Sequence, residues 1–196
     1  MNRFDTKPIS KNQLSSLINS SYQGTNKGAE TANKEGFTMD RDLSNRKHKV
    51  YTDQNNNPHV VFTGTRTLGD VITDGALAIG LGRYTHRFQD SKSLVQKVKD
   101  KYQRPVTASG HSLGGSLAEY SGADKVITLD KGAGIGDIGK RIRKNQTDIR
   151  TGTDPVSLLS LTQTGGKHIT LPKTNYANLL YAHDKSHLNK AKQRFF

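Results

Sequence analysis

Leu14, Leu17, Ile18 and Tyr22 recur at three- and four-residue spacing behind Ser10-Lys11-Asn12-Gln13, a pattern that predicts a short amphipathic helix opened by a capping box. Ile9 and Leu14 are placed for a hydrophobic staple, and Gly24 is expected to close the helix. Thr25 to Glu35, polar and rich in Asn, Gly, Lys and Thr, reads as an exposed loop. The pattern then changes to short apolar runs. Lys49-Val50-Tyr51-Thr52 and His59-Val60-Val61-Phe62, joined through Asp53 to Pro58, read as a hairpin.

Val71 to Leu81 is apolar, and its periodicity does not choose between a buried helix and a segment covering a pocket. Leu94, Val95, Val98 and Tyr102 share one face of a second helix, expected to start at a cap on Asp90 or Ser91 and to end before Pro105. Further strands are expected at Pro105 to Ser109, at Lys125-Val126-Ile127-Thr128-Leu129, near Ile149-Arg150-Thr151, and as an edge at His168-Ile169-Thr170-Leu171. Leu188, Ala191 and Phe195 mark a last short helix. Strands alternating with helices predict an α/β fold.

The strand beginning at Pro105 runs into Gly110-His111-Ser112-Leu113-Gly114-Gly115. A serine at the tip of a strand-to-helix turn sits in strained backbone, and glycines on both sides let the strand and helix approach. This is the pattern of a nucleophile elbow, with Ser112 as nucleophile and the Leu113 N–H, at a helix N-terminus, as an oxyanion donor. Such a serine needs a base and an acid that orients the base. In α/β hydrolases these follow the serine in the order acid, then histidine. Asp154, in a loop before Pro155, and then His183 or His187 stand in that order.

The quoted stretches together resemble the class 3 lipase family of α/β hydrolases, over about Gly36 to Ser160. Phe62-Thr63-Gly64-Thr65 is similar to that family's F-R-G-[ST] oxyanion turn, and Gly110 to Gly115 reproduces its G-H-S-L-G-G. Thr128 to Asp137 resembles the strand and loop that follow, and Asp154-Pro155-Val156-Ser157-Leu158-Leu159 resembles the stretch around its catalytic acid. The resemblance implies an α/β-hydrolase fold with a mostly parallel central sheet and helices on both faces. It implies Ser112 as nucleophile, Asp154 as triad acid, Thr65 with the Leu113 N–H as oxyanion hole, and a lid over roughly Thr67 to Gly82. His187-Leu188-Asn189 resembles the family's histidine before its terminal helix, so His187 is preferred as base, with His183 kept beside it. The chain departs from the family where Thr63 replaces the usual arginine and Lys131-Gly132-Ala133-Gly134 replaces a proline-bearing loop; it also has no tryptophan to anchor a lid.

At 196 residues the expectation is one lipase-like domain over 1–196, with an N-terminal helix and polar arm over 1–45 and a catalytic core over 46–196. The expected reaction is hydrolysis of carboxylic esters of lipids, of triacylglycerol lipase or phospholipase type, through an acyl-serine, with no cofactor and no metal. Thirty basic residues against 17 acidic ones leave a net charge of +13, which favours anionic partners such as a phospholipid surface. The alternative function is a basic nucleic-acid- or membrane-binding protein on a degenerate hydrolase scaffold. The basic clusters, Arg46 to Lys49, Lys140 to Lys144 and Lys185 to Arg194, lack the interleaved aromatic ladder of single-strand binders. Gly134 to Gly139 matches a dinucleotide fingerprint formally, without the strand-turn-helix context or the later acid. No apolar run is long enough to span a bilayer, residues 1–10 lack a signal-peptide core, and there are no cysteines, so an intracellular, cytoplasmic setting is expected.

Overall fold

A computed structural model describes residues 8–65, 85–133, 137–151 and 157–171. Helix α1 (Lys11–Ser21) opens as its sequence predicts: the Ser10 hydroxyl accepts the Gln13 N–H at 3.2 Å, and the Gln13 side chain accepts the Ser10 N–H at 3.0 Å. The helix ends before Tyr22, two residues ahead of the expected stop, and Gly24 instead caps the start of a second helix, α2 (Thr25–Asn33).

That second helix corrects the loop expected over Thr25 to Glu35. Its buried positions are Gly28, Ala29 and Ala32, small residues with no large apolar side chain among them. They let α2 lie close on α1: a Cβ at Gly28 would stand 2.8 Å from the Ser20 carbonyl oxygen.

Among the described residues the sheet has seven strands, in sequence order. Strands β1 (Thr38–Asp40), β2 (His48–Thr52) and β3 (Pro58–Phe62) form an antiparallel meander. Strands β4 (Thr107–His111), β5 (Lys125–Leu129), β6 (Gln146–Thr151) and β7 (Lys167–Leu171) then add in parallel, each beside the one before. Helix α3 (Thr85–Tyr102) precedes β4, and α4 (Leu113–Tyr120) joins β4 to β5. Helix α3 starts ahead of the expected cap; Ser91 lies inside it, its hydroxyl donating to the Phe88 carbonyl at 2.7 Å.

Strand alternation separates two cores. On one face Tyr51, Val61, Ile127, Leu129 and Ile149 pack against α1 and α2 through Leu14, Leu17, Ile18, Ala29 and Ala32. On the other, Val50, Val60, Phe62, Ala108 and Val126 pack against Leu94, Val95 and Val98 of α3 and Leu113, Leu117 and Ala118 of α4. The sheet is therefore mostly parallel and covered on both faces, as expected, and the helix of the N-terminal region packs directly on it. Among the described residues no helix is long and apolar enough to cross a membrane.

Candidate active site

Ser112 stands between the end of β4 and the start of α4 with φ 57° and ψ −129°. For a residue with a Cβ this backbone conformation costs on the order of 1–3 kcal/mol and persists only where its surroundings enforce it. Here they do. The Ser112 N–H donates to the Leu129 carbonyl at 3.0 Å, and the Ser112 carbonyl accepts from Gly115 at 2.9 Å and from Gly132 at 3.3 Å. The flanking glycines are required by contact: a Cβ on Gly110 would meet the Gly114 carbonyl at 2.3 Å, and one on Gly114 would meet the Phe62 carbonyl oxygen at 2.2 Å. The turn is the elbow read from the sequence.

The turn after β3 closes over it. A Cβ on Gly64 would lie 2.6 Å from the His111 carbonyl oxygen and 3.4 Å from the Ser112 Cβ, so the Thr63-Gly64-Thr65 backbone rests on the Ser112 turn. Thr65, half-buried, follows at once. Leu113 opens α4, and among the described residues its N–H has no acceptor, as befits the first position of a helix. Ser112 and Leu113 thus follow the carboxyl end of β4, with Gly64, the residue before Thr65, packed against Ser112 from the end of β3. Asp154, His183 and His187 lie outside the described residues, as does the expected lid from Thr67 to Gly82.

Three contacts that sequence reading did not find hold the Thr63–Thr65 turn. The Tyr22 hydroxyl accepts the Gly64 N–H at 3.1 Å and stands 3.2 Å from Nδ1 of His111, linking the end of α1 to both halves of the site. The Thr63 hydroxyl donates to the Ser21 carbonyl at 2.9 Å. The Arg87 guanidinium, from α3, donates to the Thr63 carbonyl at 2.8 Å. The signal available in the sequence was Thr63 itself, since a short hydroxyl in place of an arginine needs a partner close by.

The loop after β5 braces the elbow from behind. Asp130, fully buried at φ 43°, takes the Thr151 N–H at 2.5 Å and the Thr151 hydroxyl at 3.0 Å, and so fixes the end of β6, three residues before Asp154. Lys131 is 2% exposed, and its ammonium lies 2.6 Å from Glu119 of α4 and 2.6 Å from Asp148 of β6. Asp148 also accepts from Thr128 and Gln146 at 2.8 Å each. The Ser116 hydroxyl donates to the Gly132 carbonyl at 2.6 Å, tying the same loop to α4. Lys131 is the buried centre of this bracing.

His168, on β7, has its ring beside Asp148 and Arg150, and burial followed by the Arg150 charge lowers its pKa. Among the described residues no group of three His, Asp or Glu side chains is placed to hold a metal ion.

No protein-family model matches the chain, and no curated protein matches it by sequence. Solved structures do match. A point mutant of MDLA from Penicillium cyclopium superposes with a TM-score of 0.53 at 14% identity, covering 86% of this chain and 80% of that one. A deletion mutant of the Rhizomucor miehei lipase propeptide complex gives 0.57 at 15% identity, over 83% of this chain and 66% of that one. A structure described as fungal lipases gives 0.52 at 14%, over 90% and 82%. Likeness at this level of identity shows the fold: the chain has a lipase-like fold of the α/β-hydrolase type.

Proposed function

We propose that this protein is a serine hydrolase of carboxylic esters, acting on lipids through an acyl-serine intermediate. The observation that carries the reading is Ser112, held at φ 57° on the turn between β4 and α4 and enforced by contacts that exclude any side chain at Gly110 and Gly114. That conformation lifts a hydroxyl to the helix N-terminus, where the Leu113 N–H and the helix dipole favour a developing negative charge.

In the proposed reaction Ser112 Oγ attacks the ester carbonyl while its proton passes to a histidine, His187 or His183, oriented by Asp154. The Leu113 N–H and Thr65 stabilise the tetrahedral oxyanion. Its collapse expels the alcohol, protonated by the same histidine, and water then releases the acyl group as a carboxylic acid. The Tyr22 and Arg87 hydrogen bonds support this reading by holding the turn that carries Thr65. Lipid is preferred as substrate because the fold is lipase-like and the +13 charge favours an anionic surface.

The test is release of p-nitrophenol from short- and long-chain p-nitrophenyl esters by the wild type and by the Ser112→Ala, His183→Ala and His187→Ala variants. Turnover lost with Ser112→Ala and with one of the two histidine changes is expected. Folded wild type that turns over none of the esters would refute the reading.

A further inference from the structure

A groove of about 680 Å³ opens on the α3 side of the sheet. Its position follows from register: His48 pairs with Phe62, the last residue of β3, and Phe62 pairs with Gly110 of β4. The groove wall at Phe62 is therefore one strand, about 5 Å, across from β4, which leads into Ser112, and at the same end of the sheet. The two are in contact through the backbone, since the Phe62 carbonyl is the atom that leaves no room for a side chain on Gly114.

The groove has two kinds of surface. Leu43, Phe62, Leu94 and Leu117 line it with apolar area. Arg46, Lys47, Arg87 and Lys97 also line it, against two carboxylates, Asp42 and Asp90. Arg46, Lys47 and Lys97 are exposed, and among the described residues none of the three pairs with a carboxylate. His48, also in the lining, reports the local field: burial first, and then the charges of Lys49, Lys47 and Arg87, hold its pKa down at about 4. Arg87 belongs to both places, lining the groove while donating to the Thr63 carbonyl of the turn at 2.8 Å.

An apolar cleft rimmed by surplus cations, beside a candidate ester-cleaving serine, fits an amphiphile whose anionic group is separate from its scissile bond. We infer that the groove is a head-group subsite that takes the phosphate of an anionic phospholipid while an acyl ester of the same molecule lies at Ser112, an assignment that rests on the serine-hydrolase reading above. Guanidinium and ammonium groups bind phosphate oxygens through charge-assisted hydrogen bonds, and the apolar lining covers the glycerol and first methylenes. A neutral glyceride has nothing to set against these cations.

The experiment measures binding of monomeric dihexanoylphosphatidylglycerol, below its micelle concentration, to the Ser112→Ala protein by calorimetry. Inorganic phosphate and dihexanoylglycerol serve as comparison ligands. Saturable binding is expected, weakened about tenfold or more by Arg46→Glu with Lys97→Glu. A control pair, Lys27→Glu with Lys34→Glu, sits on exposed positions of α2 and its C-terminal cap, on the other face of the sheet, and is expected to change affinity by less than about twofold. Equal loss in the control pair would show attraction to the chain's overall charge and overturn the site, as would the absence of saturable binding. Phosphate binding as tightly as the lipid would overturn the lipid assignment. Wild-type turnover of p-nitrophenyl butyrate reads the other claim independently: turnover without lipid binding refutes the groove alone, and lipid binding without turnover refutes the hydrolase.

Discussion

The hydroxyl of Tyr22 accepts the N–H of Gly64 at 3.1 Å, across 42 positions of sequence, and this bond joins the N-terminal helix to the turn that lies on Ser112. The same oxygen is 3.2 Å from Nδ1 of His111, so one phenol sits against the turn and the residue preceding Ser112. A Tyr22→Phe protein keeps the ring in place and removes the acceptor. It is expected to lose about 1–2 kcal/mol of stability, because a part-buried N–H is left without its partner. Its kcat is expected to fall by about tenfold with little change in KM, because the turn carrying Thr65 is held less firmly where charge develops. Urea denaturation and steady-state kinetics on a p-nitrophenyl ester check the two effects.

The bracing centred on Lys131 behaves differently. Its ammonium satisfies Glu119 and Asp148, which are 7% and 2% exposed at the side chain. A Lys131→Met change leaves both carboxylates buried without that cation and is expected to cost about 3–5 kcal/mol. Adding Asp148→Asn to the same chain is expected to recover part of the loss, since one stranded charge is removed. Urea midpoints of the single and double variants decide it, and a loss below about 1 kcal/mol in the single variant would contradict the bracing.

One buried and one half-buried histidine set an acid limit on the fold. His59 packs edge-on against Phe37 at 5.0 Å, and burial, opposed only by the charge of Asp53, holds its pKa at about 4. His48 is likewise held at about 4. Both take up a proton near the ordinary histidine value, about 6.5, once unfolded. The unfolded chain therefore binds more protons between pH 6.5 and 4. Their contribution to stability is present above that window and lost as pH falls through it, at roughly 1 kcal/mol per pH unit for each. Urea denaturation from pH 7 to pH 4 should show this slope, and His59→Gln should reduce it.

How much of this was legible depended on how locally each feature is written. The elbow was readable because its requirement falls on neighbours: Gly110 and Gly114 meet each other within one turn. Strands β2, β3 and β5 were readable because Val50, Val60 and Ile127 carry plain alternation or dense β-branching. Helix α2 was hidden because its packing face is Gly28, Ala29 and Ala32, and small residues contribute contact by absence of bulk. Tyr22 read as one more core position of α1, since nothing local records a partner 42 or 89 residues away. The burial of Lys131 was not legible, because the charges that hold it lie on α4 and β6, far from it in sequence.

Labelling with a fluorophosphonate decides whether Ser112 is the activated nucleophile proposed above, because the reagent reports attack by Oγ with displacement of fluoride and needs no knowledge of the natural substrate. Intact-mass and peptide mass spectrometry of the folded wild type should show one adduct per chain, on the peptide containing Ser112, and none on the Ser112→Ala protein. Folded wild type that stays unlabelled, or an adduct that persists in Ser112→Ala, would show that Ser112 is not an activated nucleophile.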